Sequence, residues 1–150
     1  MEWMLMPLRR YAEFSGRSRR KEFWMFALFL FLIEAVCFAL MLGGGFSFAS
    51  IAYPGATPTT PGPVFWLGAI ILGLFGLAII VPSIAVTIRR LHDRDMSGWW
   101  YLGMIVASLI PLVGFIASIA FLVIMCLPGT PGPNRFGADP KDPASAEVFA

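Results

Sequence analysis

The chain has 150 residues, of which 58% are hydrophobic and only 13% charged. A soluble domain of that length could not hide so much apolar surface, so lipid must be the solvent for most of it. The formal net charge of +2 is small, and its distribution says more than its size: all eleven lysines and arginines fall in three clusters. These are Arg9–Lys21, Arg89–Arg94, and Arg135 with Lys141; no basic residue occurs from Glu22 to Ile88 or from Asp95 to Asn134.

Met1 to Phe14 places Met4, Leu8, Tyr11 and Phe14 on one helical stripe, with Arg9, Arg10 and Glu13 off it. This pattern predicts a short amphipathic helix lying in the membrane interface, within a cytoplasmic segment 1–21. Ser15-Gly16 should close it, and Ser18 is placed to cap the next helix by accepting from a backbone N–H. No apolar core followed by a small-residue cleavage site precedes Lys21, so a signal peptide is not expected.

The first span is predicted from Phe23 to Leu42, close to the roughly 20 residues that a 30 Å hydrocarbon core requires. Gly43-Gly44-Gly45 breaks it, and residues 43–63 read as an uncharged external loop rich in Gly, Pro, Ser and Thr. Val64–Ile88 is the second span and contains Pro82. Residues 89–98 follow as a basic cytoplasmic loop. Trp99–Leu127 is then too long for one straight crossing, at roughly 44 Å for 1.5 Å per residue. Ile110-Pro111-Leu112-Val113-Gly114 sits at its middle, and proline there removes a backbone hydrogen bond. The block therefore either bends or folds back as a hairpin with arms about 20–24 Å long. The expected fold class is an all-α membrane protein with three or four transmembrane helices.

Topology favours the hairpin. Lys and Arg collect in cytoplasmic loops, and only a folded-back third block keeps all three basic clusters on that side. Against it, Arg19-Arg20 and Thr60-Pro61-Gly62-Pro63 recur 70 residues later as Arg89-Arg90 and Thr130-Pro131-Gly132-Pro133. A true repeat would want a single crossing, but in a chain this rich in Pro and Gly the recurrence weighs little. Residues 128–150 form a turn-rich C-terminal strap or tail.

Several polar residues within this frame need an explanation. The run Gly16-Arg17-Ser18-Arg19-Arg20-Lys21-Glu22-Phe23-Trp24 joins a basic cluster to aromatics at the mouth of a span. Its structural reading, the favoured one, is an anchor; the functional alternative is specific binding of anionic lipid, each basic residue contributing about 1 kcal/mol near an anionic leaflet. His92 between Arg90 and Asp93 invites acid–base or metal chemistry, yet no second histidine or nearby cysteine completes a ligand set. The local account is that Asp93 and Asp95 neutralise neighbouring arginines while Ser97 caps the helix starting at Trp99-Trp100. Cys37 and Cys126 read as small buried hydrophobes. Pairs of small residues four apart, Ala69/Gly73, Gly103/Ala107 and Gly114/Ser118, offer packing faces for helices.

Glu34 is the oddity. It falls near mid-membrane, where a carboxylate costs roughly 2.5–3.5 kcal/mol on insertion scales. It should therefore face protein, with a neutral carboxyl donating to the Ala78 carbonyl that Pro82 leaves without its usual donor, or else reaching Ser83 or Thr87.

Three stretches in order resemble the signature of the bacterial inner-membrane family known as domain of unknown function 805. They are Phe14-Ser15-Gly16-Arg17-Ser18-Arg19-Arg20-Lys21-Glu22-Phe23-Trp24; Arg89-Arg90-Leu91-His92-Asp93 with Ser97-Gly98-Trp99-Trp100; and Pro128-Gly129-Thr130 with Asn134-Arg135-Phe136-Gly137 and Asp139-Pro140. The 43–63 loop is longer than the family pattern, and Glu34 is not part of it. The resemblance implies a multi-pass inner-membrane protein with a cytoplasmic N-terminus, and it implies no activity. It also links the motifs: on a shared face, Arg17, Arg89, Arg90, His92, Asp93 and Arg135 form one cytoplasmic cluster.

The leading expectation is a non-enzymatic protein whose cluster organises the helices and engages anionic headgroups or a protein partner, using Arg17, Arg19, Arg20, Arg89, Arg90, His92, Asp93 and Arg135. A homo-oligomer is compatible with it; no cofactor, metal or nucleic acid is expected. The alternatives are a small transporter or channel component lined by Glu34, and a lipid-modifying enzyme using His92 and Asp93.

Overall fold

The computed structural model describes residues 2–45 and 60–142, and these form five helices. They are α1 (Glu2–Arg9), α2 (Arg20–Gly43), α3 (Pro63–His92), α4 (Trp99–Ser108) and α5 (Pro111–Cys126). No strand occurs among the described residues, only an isolated bridge between Asn134 and Gly137. Most of the predicted 43–63 loop and the end of the C-terminal tail lie outside the described residues.

Helices α2 and α3 are long and apolar enough to cross a membrane, and few residues of their apolar stretches are buried. A helix apolar all round is normally covered by protein or by lipid. Pro82 sits buried inside α3 without ending it. Contacts divide the chain into two compact units, Ala27–Ile80 and the combination of Met1–Phe26 with Val81–Ala150.

In Ala27–Ile80, the two apolar helices meet where Gly68 faces Cys37 and Leu40. A Cβ on Gly68 would approach the Cys37 carbonyl to 2.9 Å, so glycine permits the close approach. Phe29 and Phe75 meet edge to face, and the Gly62 N–H donates to the Gly44 carbonyl at 2.8 Å. The predicted packing residue Gly73 has nothing within 4 Å of where its Cβ would be. The sequence search for small residues four apart therefore picked the wrong glycine.

In the other unit, α1 stops at Arg9 instead of running to Phe14. Just beyond its end, the carbonyls of Arg10 and Glu13 both accept hydrogen bonds from Arg89. The third apolar block breaks in two. Ile110 is extended, as the residue before a proline tends to be, and Pro111 takes the first turn of α5, where its missing N–H costs nothing. α4 and α5 pack on each other as a hairpin of about 15 Å and 24 Å arms, from their 10 and 16 residues. Gly114 makes the turn close: a Cβ there would come within 2.8 Å of the Ser108 carbonyl oxygen. Ser118 returns its hydroxyl to the Gly114 carbonyl at 2.8 Å.

The two glycines of the hairpin should respond differently to substitution. Gly114→Ala is expected to lower stability by about 1–3 kcal/mol through overpacking. Gly103→Ala, with nothing within 4 Å of its Cβ position, should be neutral or stabilising, since alanine favours helix by about 0.5–1 kcal/mol. Thermal unfolding of both variants in detergent makes the comparison, and equal midpoints would refute the close turn.

Candidate functional site

Asp93, one residue beyond α3, carries two arginines. Its Oδ1 accepts from Arg17 at 3.0 Å, and its Oδ2 accepts from Arg90 Nη1. Arg17 belongs to the segment joining α1 to α2, so a link across 76 residues of sequence is made by one carboxylate. The remaining donors of Arg17 go to the carbonyls of Gly132 and Thr130, both at 2.6 Å. Arg90 donates to the carbonyls of Met125 and Leu127 at the end of α5. Its neighbour Arg89 takes the other direction, pairing with Glu22 at 3.2 Å and donating to the Arg10 and Glu13 carbonyls. All five of these charged groups are buried.

Local chain geometry brings them together. The Arg89 carbonyl accepts from both Asp93 N–H and Ser18 N–H, each at 3.0 Å, so the α1–α2 segment is stitched to the end of α3. Asp95 adopts a left-handed φ of 57°, which turns the chain toward α4. The C-terminal strap returns to the same place: Thr130 N–H donates to the Asp93 carbonyl at 2.8 Å, and Asn134 Nδ2 donates to the His92 carbonyl at 2.8 Å. Gly129 lies so close that a Cβ would overlap the Asp93 carboxylate.

His92 stacks on Phe136 with ring centroids 3.9 Å apart and planes within 4°. Its Nδ1 lies 3.1 Å from the Gly16 carbonyl oxygen. A carbonyl can only accept, so Nδ1 carries the proton of the neutral ring. His92 lies past Ile88, where the apolar stretch ends; burial pushes its pKa below the ordinary 6.5, against the opposing pull of the Gly16 carbonyl. Arg135 sits 4.8 Å from the Phe136 ring and pairs with Asp95 at 3.2 Å, with both side chains largely exposed. At the strap, the Lys141 and Gly132 N–H groups hold the Asp139 carboxyl below its usual range.

Of the residues singled out in the sequence, Arg17, Arg89, Arg90, His92 and Asp93 thus converge, and Arg135 stands at the edge. Arg20 reaches only the Cys126 carbonyl, at 3.1 Å. Arg19 and Lys21 instead lie over the Trp3 ring, at 5.6 and 5.3 Å. Arg19 also helps line a cavity of about 420 Å³, together with Trp3, Arg10, Glu13, Glu22 and Phe136. Arg10 grips Glu13 through two contacts of 2.7 and 2.8 Å, which hold the Glu13 carboxyl below its usual range.

Other expectations need correction. Ser18 caps nothing: its hydroxyl is buried without a hydrogen-bond partner, because its backbone N–H is drawn to Arg89. Ser97 accepts from Trp99 N–H at 3.4 Å, but the cap position itself is Gly98. Asp95 pairs with the distant Arg135, not with an adjacent arginine. Cys126 is exposed, while Cys37 is buried. Glu34 is exposed on α2 and makes no hydrogen bond among the described residues, while the Thr87 hydroxyl is committed to the Ser83 carbonyl at 2.7 Å. The sequence also undervalued Glu22, Glu13, Gly129 and Asn134. Glu22 stood in view as the only carboxylate at the mouth of the first span, beside Lys21.

Exposed apolar helices tied at their polar ends by a buried arginine–carboxylate cluster define a helical membrane protein. The chain belongs to the family described as "Protein of unknown function (DUF805)", whose model matches residues 11–138. It is similar to "Inner membrane protein YhaH" of Escherichia coli (strain K12), 38% identical over 141 residues, covering 94% of this chain and 98% of that one. "Inner membrane protein YhaI" of the same strain is 36% identical over 141 residues, covering 94% and 97%. No solved structure matches.

Removing Asp93 strands two buried guanidinium groups, so Asp93→Ala should cost about 3–5 kcal/mol, whereas Arg135→Ala, at an exposed pair, should cost about 0–1 kcal/mol. Unfolding midpoints in detergent report the contrast, and comparable losses would refute a buried hub. A second outcome follows from His92. A folded-state pKa below the unfolded one means that the folded protein binds fewer protons, so stability is complete above about pH 6.5 and declines as pH falls through the folded value. Wild type should lose more stability between pH 8 and pH 5.5 than His92→Asn, which cannot titrate there; parallel declines would show that another group is responsible.

Proposed function

We propose that the protein is a non-enzymatic, multi-pass inner-membrane protein with a cytoplasmic N-terminus. On this reading its arginine cluster is an internal clasp, and its outward basic rim binds the phosphates of anionic lipids. Residues 23–42 and 64–88 cross the bilayer, the α4–α5 hairpin enters from the cytoplasmic side, and the C-terminal strap lies on that side. Two short arms of about 15 and 24 Å fit a tilted or re-entrant hairpin better than two full crossings. Charge segregation supports the orientation, because the start of the first long span and the end of the second then carry their basic residues on one face.

One observation carries the division between clasp and rim. Arg17, Arg89 and Arg90 have their guanidinium groups committed to Asp93, Glu22 and main-chain carbonyls. Among the described residues, Arg19 and Lys21 are paired with no carboxylate and hold their charges over Trp3, which lines the cavity with Arg19. A basic pair over an indole, next to a partly polar cavity, suits a headgroup phosphate at the depth where tryptophan favours the interface. The transporter reading has weaker support, since Glu34 is exposed on the surface of α2.

The test is lipid retention by the purified protein, measured by native mass spectrometry with phosphatidylglycerol against phosphatidylcholine. Arg19→Gln with Lys21→Gln should weaken the anionic lipid about tenfold, less than the full two-charge value because both groups are partly screened. Equal retention of both lipids by wild type would overturn the rim. Separately, a C-terminal reporter fusion should be active only in the cytoplasm, and periplasmic activity would overturn the topology.

A further inference from the structure

Glu34 is the one acidic residue between Phe23 and Ile88, and it lies on the exposed surface of α2. It is about eleven residues from Phe23 and eight from Leu42, roughly 17 and 12 Å from the two ends of the apolar stretch at 1.5 Å per residue. A glutamate side chain is too short to reach water across either distance. Beside it runs an open groove of about 650 Å³, lined by Phe31, Glu34, Ala35, Ala39, Leu42 and Leu72. Phe31 is 64% and Leu42 44% exposed, so the face of this single chain is apolar apart from one carboxyl.

We propose that this face is the interface of a homodimer, in which Glu34 of one copy hydrogen-bonds to Glu34 of the other across a two-fold axis. A polar group in hydrocarbon is stabilised by any partner that completes its hydrogen bonds, and such partners act as glue between membrane helices. A neutral carboxyl both donates and accepts, so it is its own complement. Two-fold symmetry sets each residue near the axis against its copy, which is the geometry a carboxyl pair needs. Nothing of opposite charge is required, and the apolar stretch from Phe23 to Ile88 offers none. Ala35 and Ala39, four apart on the same helix, let the two backbones approach closely enough for the pair to form. The interface is independent of the headgroup rim proposed above, so either can fail without the other.

The test is energy transfer between fluorescently tagged full-length copies in liposomes, followed as lipid dilutes the protein. Wild type should associate, and Glu34→Gln should associate nearly as well, because an amide keeps both donor and acceptor. Glu34→Leu, similar in size but without polar atoms, should associate about fivefold or more weakly. A second variant, Ala35→Cys in a Cys37→Ala, Cys126→Ala background, should cross-link between copies under mild oxidation. A monomeric wild type, association of Glu34→Leu equal to wild type, or association without cross-linking at position 35 would each overturn the proposal.

Discussion

The structure depends on one buried carboxylate. Asp93 sits at the end of the longest helix, and without it Arg17 and Arg90 would be two desolvated cations facing each other. Burying charge is costly, and around Asp93 the charges are paired: two guanidinium groups share one carboxylate, and further donors of each reach four main-chain carbonyls. Those carbonyls belong to the end of α5 and to the strap, so satisfying the charges and positioning the chain are one event. The strap has no helix or sheet of its own to hold it, and hydrogen bonds to this cluster take that role.

Arg90 and Arg20 also illustrate a general economy of helix ends. The last carbonyls of α5 have no intrahelical donors and form the negative end of its dipole. Arg20 takes the Cys126 carbonyl, and Arg90 takes those of Met125 and Leu127, so cations carried by α2 and α3 complete a helix that has no basic residue in its last turn. Basic residues from two other helices therefore also terminate a short apolar one.

Much of this fold was legible in the sequence, and the failures share a cause. The breaks at Gly43 and Pro111 were readable because glycine and proline act through local backbone sterics, whatever surrounds them. The meeting of Arg17, Arg89, Arg90, His92 and Asp93 was implied by the family resemblance that links the three motifs, on condition that the third block folds back. The end of α1 at Arg9, the idle hydroxyl of Ser18 and the close approach at Gly68 were not readable. Each involves a group distant in sequence: Arg89 meets the chain beside the first two, and the Cys37 backbone meets the third. Local propensity is a weak prior wherever a tertiary partner competes for the same backbone group.

Glu34 belongs to a different class of error. A carboxyl in hydrocarbon needs a partner, but the assumption that the partner lies on the same chain does not follow from that need. The distribution of polar groups explains why that assumption failed. Between apolar helices in lipid there is no hydrophobic drive to associate, so hydrogen bonds and close packing must supply the specificity. Among the described residues, long-range side-chain hydrogen bonds centre on the cluster around Asp93, while Gly68, the Phe29–Phe75 contact and a backbone bond at Gly44 contribute to the Ala27–Ile80 unit. Among the described residues of that unit, none hydrogen-bonds to the mid-span carboxyl. Its presence on the exposed face is therefore better understood as a feature of the surface than as a misplaced part of the core.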